Sequence, residues 1–85
     1  MLSELTPDER EVLQTDGGLL VRSARGPALK AGIRRGDVIV AINAGKVDRV
    51  ADFNKALAEV DPGGTVALLV LRAGNLIYVA VRVPG

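Results

Sequence analysis

The sequence predicts a mainly β, α+β domain: five to six strands in a partly open barrel or sandwich, capped by two helices. Three observations predict it. Apolar runs of strand length recur along the chain, separated by breakers that contain Gly and Pro. Two segments carry helix signals, one in its capping residues and the other in its apolar spacing. The apolar content of 48% is carried by Ala, Val, Leu and Ile, with one Phe, one Tyr and no Trp, an aliphatic stock that suits a small β-rich core.

The elements follow in order. Leu2–Leu5 reads as a first strand. Thr6-Pro7-Asp8-Glu9 then sets a good N-cap, a Pro at the first helical position and a Glu three residues after the cap. This capping box, with acidic residues facing the positive end of the helix dipole, predicts a helix over Pro7–Leu13. Asp16-Gly17-Gly18 ends that unit, and Leu19–Ala24 reads as the second strand. Gly26-Pro27 breaks it, and Pro27–Ala31 forms one helical turn stopped by Gly32 in a left-handed cap. Arg34-Arg35-Gly36-Asp37 is a turn in which Asp37 is expected to bond local backbone N–H groups.

Val38–Ile42 is a continuous apolar run of strand length, so burial on both faces is expected. Asn43-Ala44-Gly45 turns the chain and Lys46-Val47 starts a short edge strand. Val50–Val60 reads as the second helix, because Val50, Phe53, Leu57 and Val60 share one apolar stripe. Asp48 and Asp52 at its start suit capping or the dipole. Asp61-Pro62-Gly63-Gly64 breaks the chain again. Thr65–Arg72 and Leu76–Val83 then pair as a hairpin across Ala73-Gly74-Asn75.

Length and charge bound the function. Eighty-five residues make a single domain, and Met1 directly ahead of a strand gives the expectation that residues 1–85 are cut from a longer protein. Eleven basic residues balance ten acidic ones, which gives no electrostatic reason for a nucleic-acid partner or an acidic membrane surface. No run reaches the roughly 18 apolar residues of a membrane span. There is no Cys and no His, so Cys-His, Ser-His-Asp, His-ligated and Cys-ligated metal sites have no residues to build them. Ser3 or Ser23 with Lys30, Lys46 or Lys55 has no spacing that supports a Ser-Lys pair. Asp8, Glu9 and Glu11 are explained by the helix start. The expectation is a chain with no catalytic residues, no metal and no cofactor.

One stretch is specific. Gly26-Pro27-Ala28-Leu29-Lys30-Ala31-Gly32-Ile33-Arg34-Arg35-Gly36-Asp37-Val38-Ile39-Val40-Ala41-Ile42-Asn43 resembles the PDZ-domain signature of bacterial proteases. In that signature a Pro-Ala turn leads to Ala-Gly-Ile, then to Gly-Asp-Val-Ile and an apolar strand. Asn43-Ala44-Gly45 departs from its Asn-Gly ending by one residue in a turn. Leu2-Ser-Glu-Leu-Thr-Pro-Asp-Glu-Arg is similar to the start of the second PDZ domain of Do-type (HtrA/Deg, DegP-like) serine proteases. Site-2 proteases, C-terminal processing proteases and secretion components also carry bacterial PDZ domains.

The resemblance implies a non-catalytic peptide-binding module of a periplasmic serine endopeptidase, with partners that include unfolded-protein C-termini and the other domains of its parent. Its alternative is an assembly or regulatory domain that holds a homo-oligomer together. Mapped by motif, an extended peptide would add to the strand Leu2, Ser3, Glu4 and Leu5 by β-augmentation. Val50, Asn54 and Leu57, one helical face at i, i+4 and i+7, would line the groove. Ordinary core packing for Val50 and Leu57, and a solvated Asn54, suit the same spacing. Phe53, Ala56 and Val60 are assigned to the core. Val50 stands where some PDZ domains carry a His that bonds a ligand hydroxyl, so an apolar ligand residue two before the C-terminus is expected. The family holds the ligand carboxylate on a Gly-containing loop just before the groove strand. No Gly precedes Leu2, so weak binding of free C-termini by this chain is expected.

Overall fold

The computed structural model describes residues 1–84. Six strands and three helices alternate along them: β1 (Leu2–Glu4), α1 (Pro7–Leu13), β2 (Leu19–Val21), α2 (Pro27–Lys30), β3 (Val38–Ile42), β4 (Gly45–Lys46), α3 (Val50–Ala58), β5 (Thr65–Arg72) and β6 (Asn75–Arg82). Every strand pair is antiparallel, in the order β1-β2-β3-β5-β6, with β4 paired to β3. β1 and β6 are therefore the two edges of one open sheet. This is the predicted fold class.

β3 is the centre. It pairs β5 along one side, while β2 and β4 share the other. Its burial follows from that position: only Val40 of the five residues is partly exposed. The interior is aliphatic, with Leu19, Val21, Val38, Val66 and Val70 fully enclosed. Inward residues alternate along β5 and β6, as period-two patterning requires: Val66, Leu68 and Val70 face Val79 and Val81.

The α1 capping box forms as expected. The Glu9 N–H donates to Thr6 Oγ1 at 3.1 Å and the Thr6 N–H to Glu9 Oε1 at 3.0 Å. The Thr6 amide is the largest cause of a lowered Glu9 pKa. The chain leaves α1 through Gln14 in the left-handed region.

Several boundaries differ from expectation. The first strand stops at Glu4, because Thr6 turns the chain into α1; Leu5 is only 8% exposed and belongs to the core. The second stops at Val21 rather than Ala24, since the N–H groups of Arg22 and Ser23 both converge on the Met1 carbonyl, which a regular ladder does not allow. α3 ends at Ala58; the Glu59 and Val60 amides bond three residues back ahead of Pro62. Its N-cap is Arg49 and no side chain caps it, so Asp48 does not have the capping role its position suggested. Gly45 enters the short edge strand and Val47 does not.

Both hairpin turns are two-residue turns with two positive φ angles. Asn43 and Ala44 lie at 48° and 68°, and Ala73 and Gly74 at 51° and 80°, the pattern that matches strand twist in type I′ turns. Asn75 is thus the first residue of β6 rather than part of a three-residue turn. Asn43 also ties its turn to β5, donating its N–H to the Ala67 carbonyl and accepting the Ala67 N–H on Oδ1.

Candidate functional site

β1 is short, yet its edge has a defined phase. Leu2 lies opposite Val21, Ser3 opposite Leu20 and Glu4 opposite Leu19. The Arg22 N–H donates to the Met1 carbonyl at 2.8 Å. Hydrogen-bonded pairs alternate along an antiparallel ladder, so Met1 and Ser3 spend their backbone groups on β2. Leu2 and Glu4 turn their N–H and C=O groups to the open side. Within the Leu2–Leu5 segment the free edge therefore consists of the donors and acceptors of Leu2 and Glu4.

The side chains divide in the same way. The Ser3 hydroxyl accepts from Arg22 Nε at 2.8 Å, Glu4 is exposed, and Leu2 packs toward the core.

α3 lies beside β1. Leu2, Phe53 and Leu57 line one cavity of about 300 Å³, at the small end for ligand pockets and enough for one or two side chains. Its floor is the buried aliphatic interior, including Val21, Ile33, Ile39, Val66, Leu68 and Val81. Ala28, on α2, adds a wall small enough to leave room. The cavity is an apolar socket that opens next to the free strand edge.

Of the residues expected from sequence, the structure brings Leu2 and Leu57 together here. Val50 is half-buried against the core, and Asn54 is exposed with no side-chain hydrogen bond among the described residues; neither lines this cavity. Phe53, assigned to the core by its spacing, packs on the core and also lines the cavity. It lies one turn before Leu57, and that i, i+4 relation was the available signal. The β6 end, Arg82 to Pro84, reaches the same cavity, and nothing local in the sequence announces it.

The buried polar centre lies elsewhere. Asp37, 3% exposed, accepts the Arg34 N–H on Oδ2 at 2.9 Å, as its turn predicted. It also receives Arg72 through Nε at 2.8 Å and Nη2 at 2.6 Å. Arg72 holds the carboxyl below its ordinary range, with the Arg34 amide adding to this against the opposing effect of burial. Every buried side-chain polar atom among the described residues has a partner, and the Asp37 cluster locks a turn.

A model of the PDZ domain matches residues 6–83. A probable periplasmic serine endoprotease DegP-like from Bartonella henselae is 42% identical over 62 residues, which are 73% of this chain and 12% of that relative. One of the same name from Hahella chejuensis is 35% identical over 80 residues, 93% of this chain and 17% of the relative. Among solved structures, the HtrA-type protease AlgW with decapeptide is similar at a TM-score of 0.82 and 28% identity, over 98% of this chain and 27% of that one. The chain thus spans 12% and 17% of the two curated relatives. The Gly26–Asn43 signature, the open six-stranded sheet and the match over nearly the whole chain agree: this protein belongs to the PDZ domain family, in the form that resembles the PDZ domains of DegP-like, HtrA-type serine proteases.

Proposed function

We propose that the chain is a non-catalytic peptide-binding module of a periplasmic, Do-type serine endoprotease, most like its second PDZ domain. It captures extended or C-terminal ends of unfolded substrates by β-augmentation. The observation that carries this reading is the adjacency of a free strand edge, at Leu2 and Glu4, to an apolar socket under Leu2, Phe53 and Leu57. A peptide strand laid along β1 completes the ladder while one of its side chains enters the socket, which is what strand addition needs. Val50 and Asn54 extend the helical wall beyond the socket. The names of the relatives support the periplasmic setting, and the decapeptide with the AlgW structure supports a peptide ligand.

The test is calorimetric titration with peptides ending in an aliphatic residue, against peptides ending in Asp. Aliphatic ends should bind better, and Leu57→Ala should weaken them several-fold. Equal binding of both peptide sets, unchanged by Leu57→Ala, would remove the socket from the site.

A second reading, an assembly domain of the same protease, has its own observation. The outward face of the β5–β6 hairpin carries Ala67, Leu69 and Leu71 opposite Ala80, Tyr78 and Leu76. Leu76 is 61% and Tyr78 77% exposed. An apolar sheet face of that extent on an edge hairpin is the kind of surface that associates. Sedimentation across a concentration series, with Tyr78→Lys as control, separates this reading from the first.

A further inference from the structure

β6 is the longer and less protected of the two sheet edges. It runs for eight residues, against three for β1, and keeps one register with β5 throughout. Its phase is fixed at both ends. Arg72 and Asn75 flank the two-residue turn, and Val83 gives its N–H to Gly64 and takes the Gly63 N–H on its carbonyl. The odd-numbered residues therefore bond to β5. Leu76, Tyr78 and Ala80 turn both backbone groups to the open side, where they have no backbone partner among the described residues. Native edges of this kind are blunted by Pro, Lys, an inward charge or a bulge. Asn75–Val81 contains none of these. Beside the edge, α2 and β6 enclose a shallow groove of about 430 Å³, lined by Pro27, Ala31, Ala80 and Pro84, with Lys30 and Arg82. Leu76, earlier on the same strand, is 61% exposed.

We infer that β6 is a self-recognition edge: two copies of this chain pair β6 with β6, antiparallel about a two-fold axis at Tyr78, and each places Leu76 in the α2–β6 groove of the other. The proposal rests on the assembly reading and deepens it by naming the partner and the contact. The register follows from shape. With Tyr78 opposite its counterpart, Leu76 falls opposite Ala80 of the second copy, with Cβ atoms about 4.5–5.5 Å apart. A large apolar side chain thus meets a small one, on the side where Ala80 lines the groove. The two Tyr78 rings, each 77% exposed in the single chain, become cross-strand neighbours. Leu76, Tyr78 and Ala80 of both copies then spend their open N–H and C=O groups on one another. Arg82, the charged residue of this strand, lies beyond the paired stretch, at opposite ends in the two copies, so like charges do not meet. The same patch serves both copies, so the contact closes at two. β1 stays open in each copy, and pairing does not compete with peptide capture.

The experiment follows the intact chain by sedimentation and by amide hydrogen exchange. One strand and one side chain from each copy make a small interface, at the weak end of the range, so the series runs from about 10 μM to about 1 mM. A monomer–dimer equilibrium should appear. At the dimer end the Leu76, Tyr78 and Ala80 amides should exchange at least tenfold more slowly than in dilute protein, while Ile77 and Val79, already bonded to β5, change little. Ala80→Pro removes one open N–H and no β5 bond, which an edge strand tolerates. It should abolish the dimer, as should Leu76→Asp, while Leu76→Met should keep it. Thermal melts of the dilute variants verify that each is folded.

A dimer that survives both Ala80→Pro and Leu76→Asp overturns the inference, as does one whose Leu76, Tyr78 and Ala80 amides exchange as in the monomer. Growth past the dimer also overturns it, because two-fold pairing closes. All three leave the assembly reading standing. A chain that stays monomeric at every concentration overturns both, as does protection of the three amides by an added peptide and never by a second copy.

Discussion

Arg72 at the end of β5 closes a two-point pair on the Asp37 carboxylate, and its Nη2 also donates to the Gly32 carbonyl at 2.7 Å. One side chain thus fixes the turn before β3 and the cap of α2, 35 and 40 residues away in sequence. These two corners set the start of the central strand and the position of the α2 wall of the socket.

Removing Arg72 leaves a carboxylate enclosed with one amide donor. Arg72→Leu should destabilise the domain, because it leaves the Asp37 carboxylate, 3% exposed, without its charged partner. The pH dependence has a definite sign. The folded Asp37 pKa is lowered, so its contribution is fully present above the unfolded value of about 3.9 and is lost as pH falls through the folded one. Urea unfolding from pH 7 to pH 2.5 should show stability falling below about pH 4, and Asp37→Asn should flatten that limb. An identical acid limb in the variant would remove Asp37 as its source.

Ala44 lies at φ 68° in the turn between β3 and β4, a region that costs an L-residue roughly 1–2 kcal/mol. Glycine relieves that strain but adds freedom to the unfolded chain, which offsets part of the gain. Ala44→Gly should therefore stabilise the domain by about 0.5–1 kcal/mol. Ala67→Gly, exposed within β5, should destabilise it by a similar amount. A thermal melt of each variant checks the pair; a lower midpoint for Ala44→Gly would contradict the turn assignment.

Val50 opens α3 and is half-buried against the core. On the proposed groove wall it would offer nothing to a hydroxyl. Peptides with an apolar residue two before the C-terminus should outbind those with Ser or Thr there, and Val50→His should shift the preference toward Ser and Thr. A peptide array unchanged by the substitution would confine Val50 to the core.

The legible parts of this protein were those written in local chemistry. Thr6 and Glu9 announce their cap three residues apart, and Val38–Ile42 declares a central strand by being apolar throughout. Gly32, Gly36 and Asp37 mark corners that only a few residue types can occupy. Leu57 was a groove candidate only through the family resemblance, since helical spacing fixes its face and suits core packing equally. The rest depends on distant chain meeting distant chain. Arg72 gives no sign of Asp37, and Arg82 gives no sign of Leu2. Val21 ends its strand because of Met1, and Leu5 is core because Thr6 turns the chain beneath it. Strand lengths and cavity linings are set by such meetings, which periodicity does not encode.

The central claim is that a ligand strand adds to β1 at the groups Leu2 and Glu4 leave open. Amide hydrogen exchange with and without a saturating peptide ending in an aliphatic residue tests it residue by residue. The Leu2 and Glu4 N–H groups, unpaired among the described residues, should exchange at least tenfold more slowly when peptide is bound, while Ser3, already paired with Leu20, should change little. Bound peptide with unchanged exchange at Leu2 and Glu4, and new protection along β6 instead, would contradict the account.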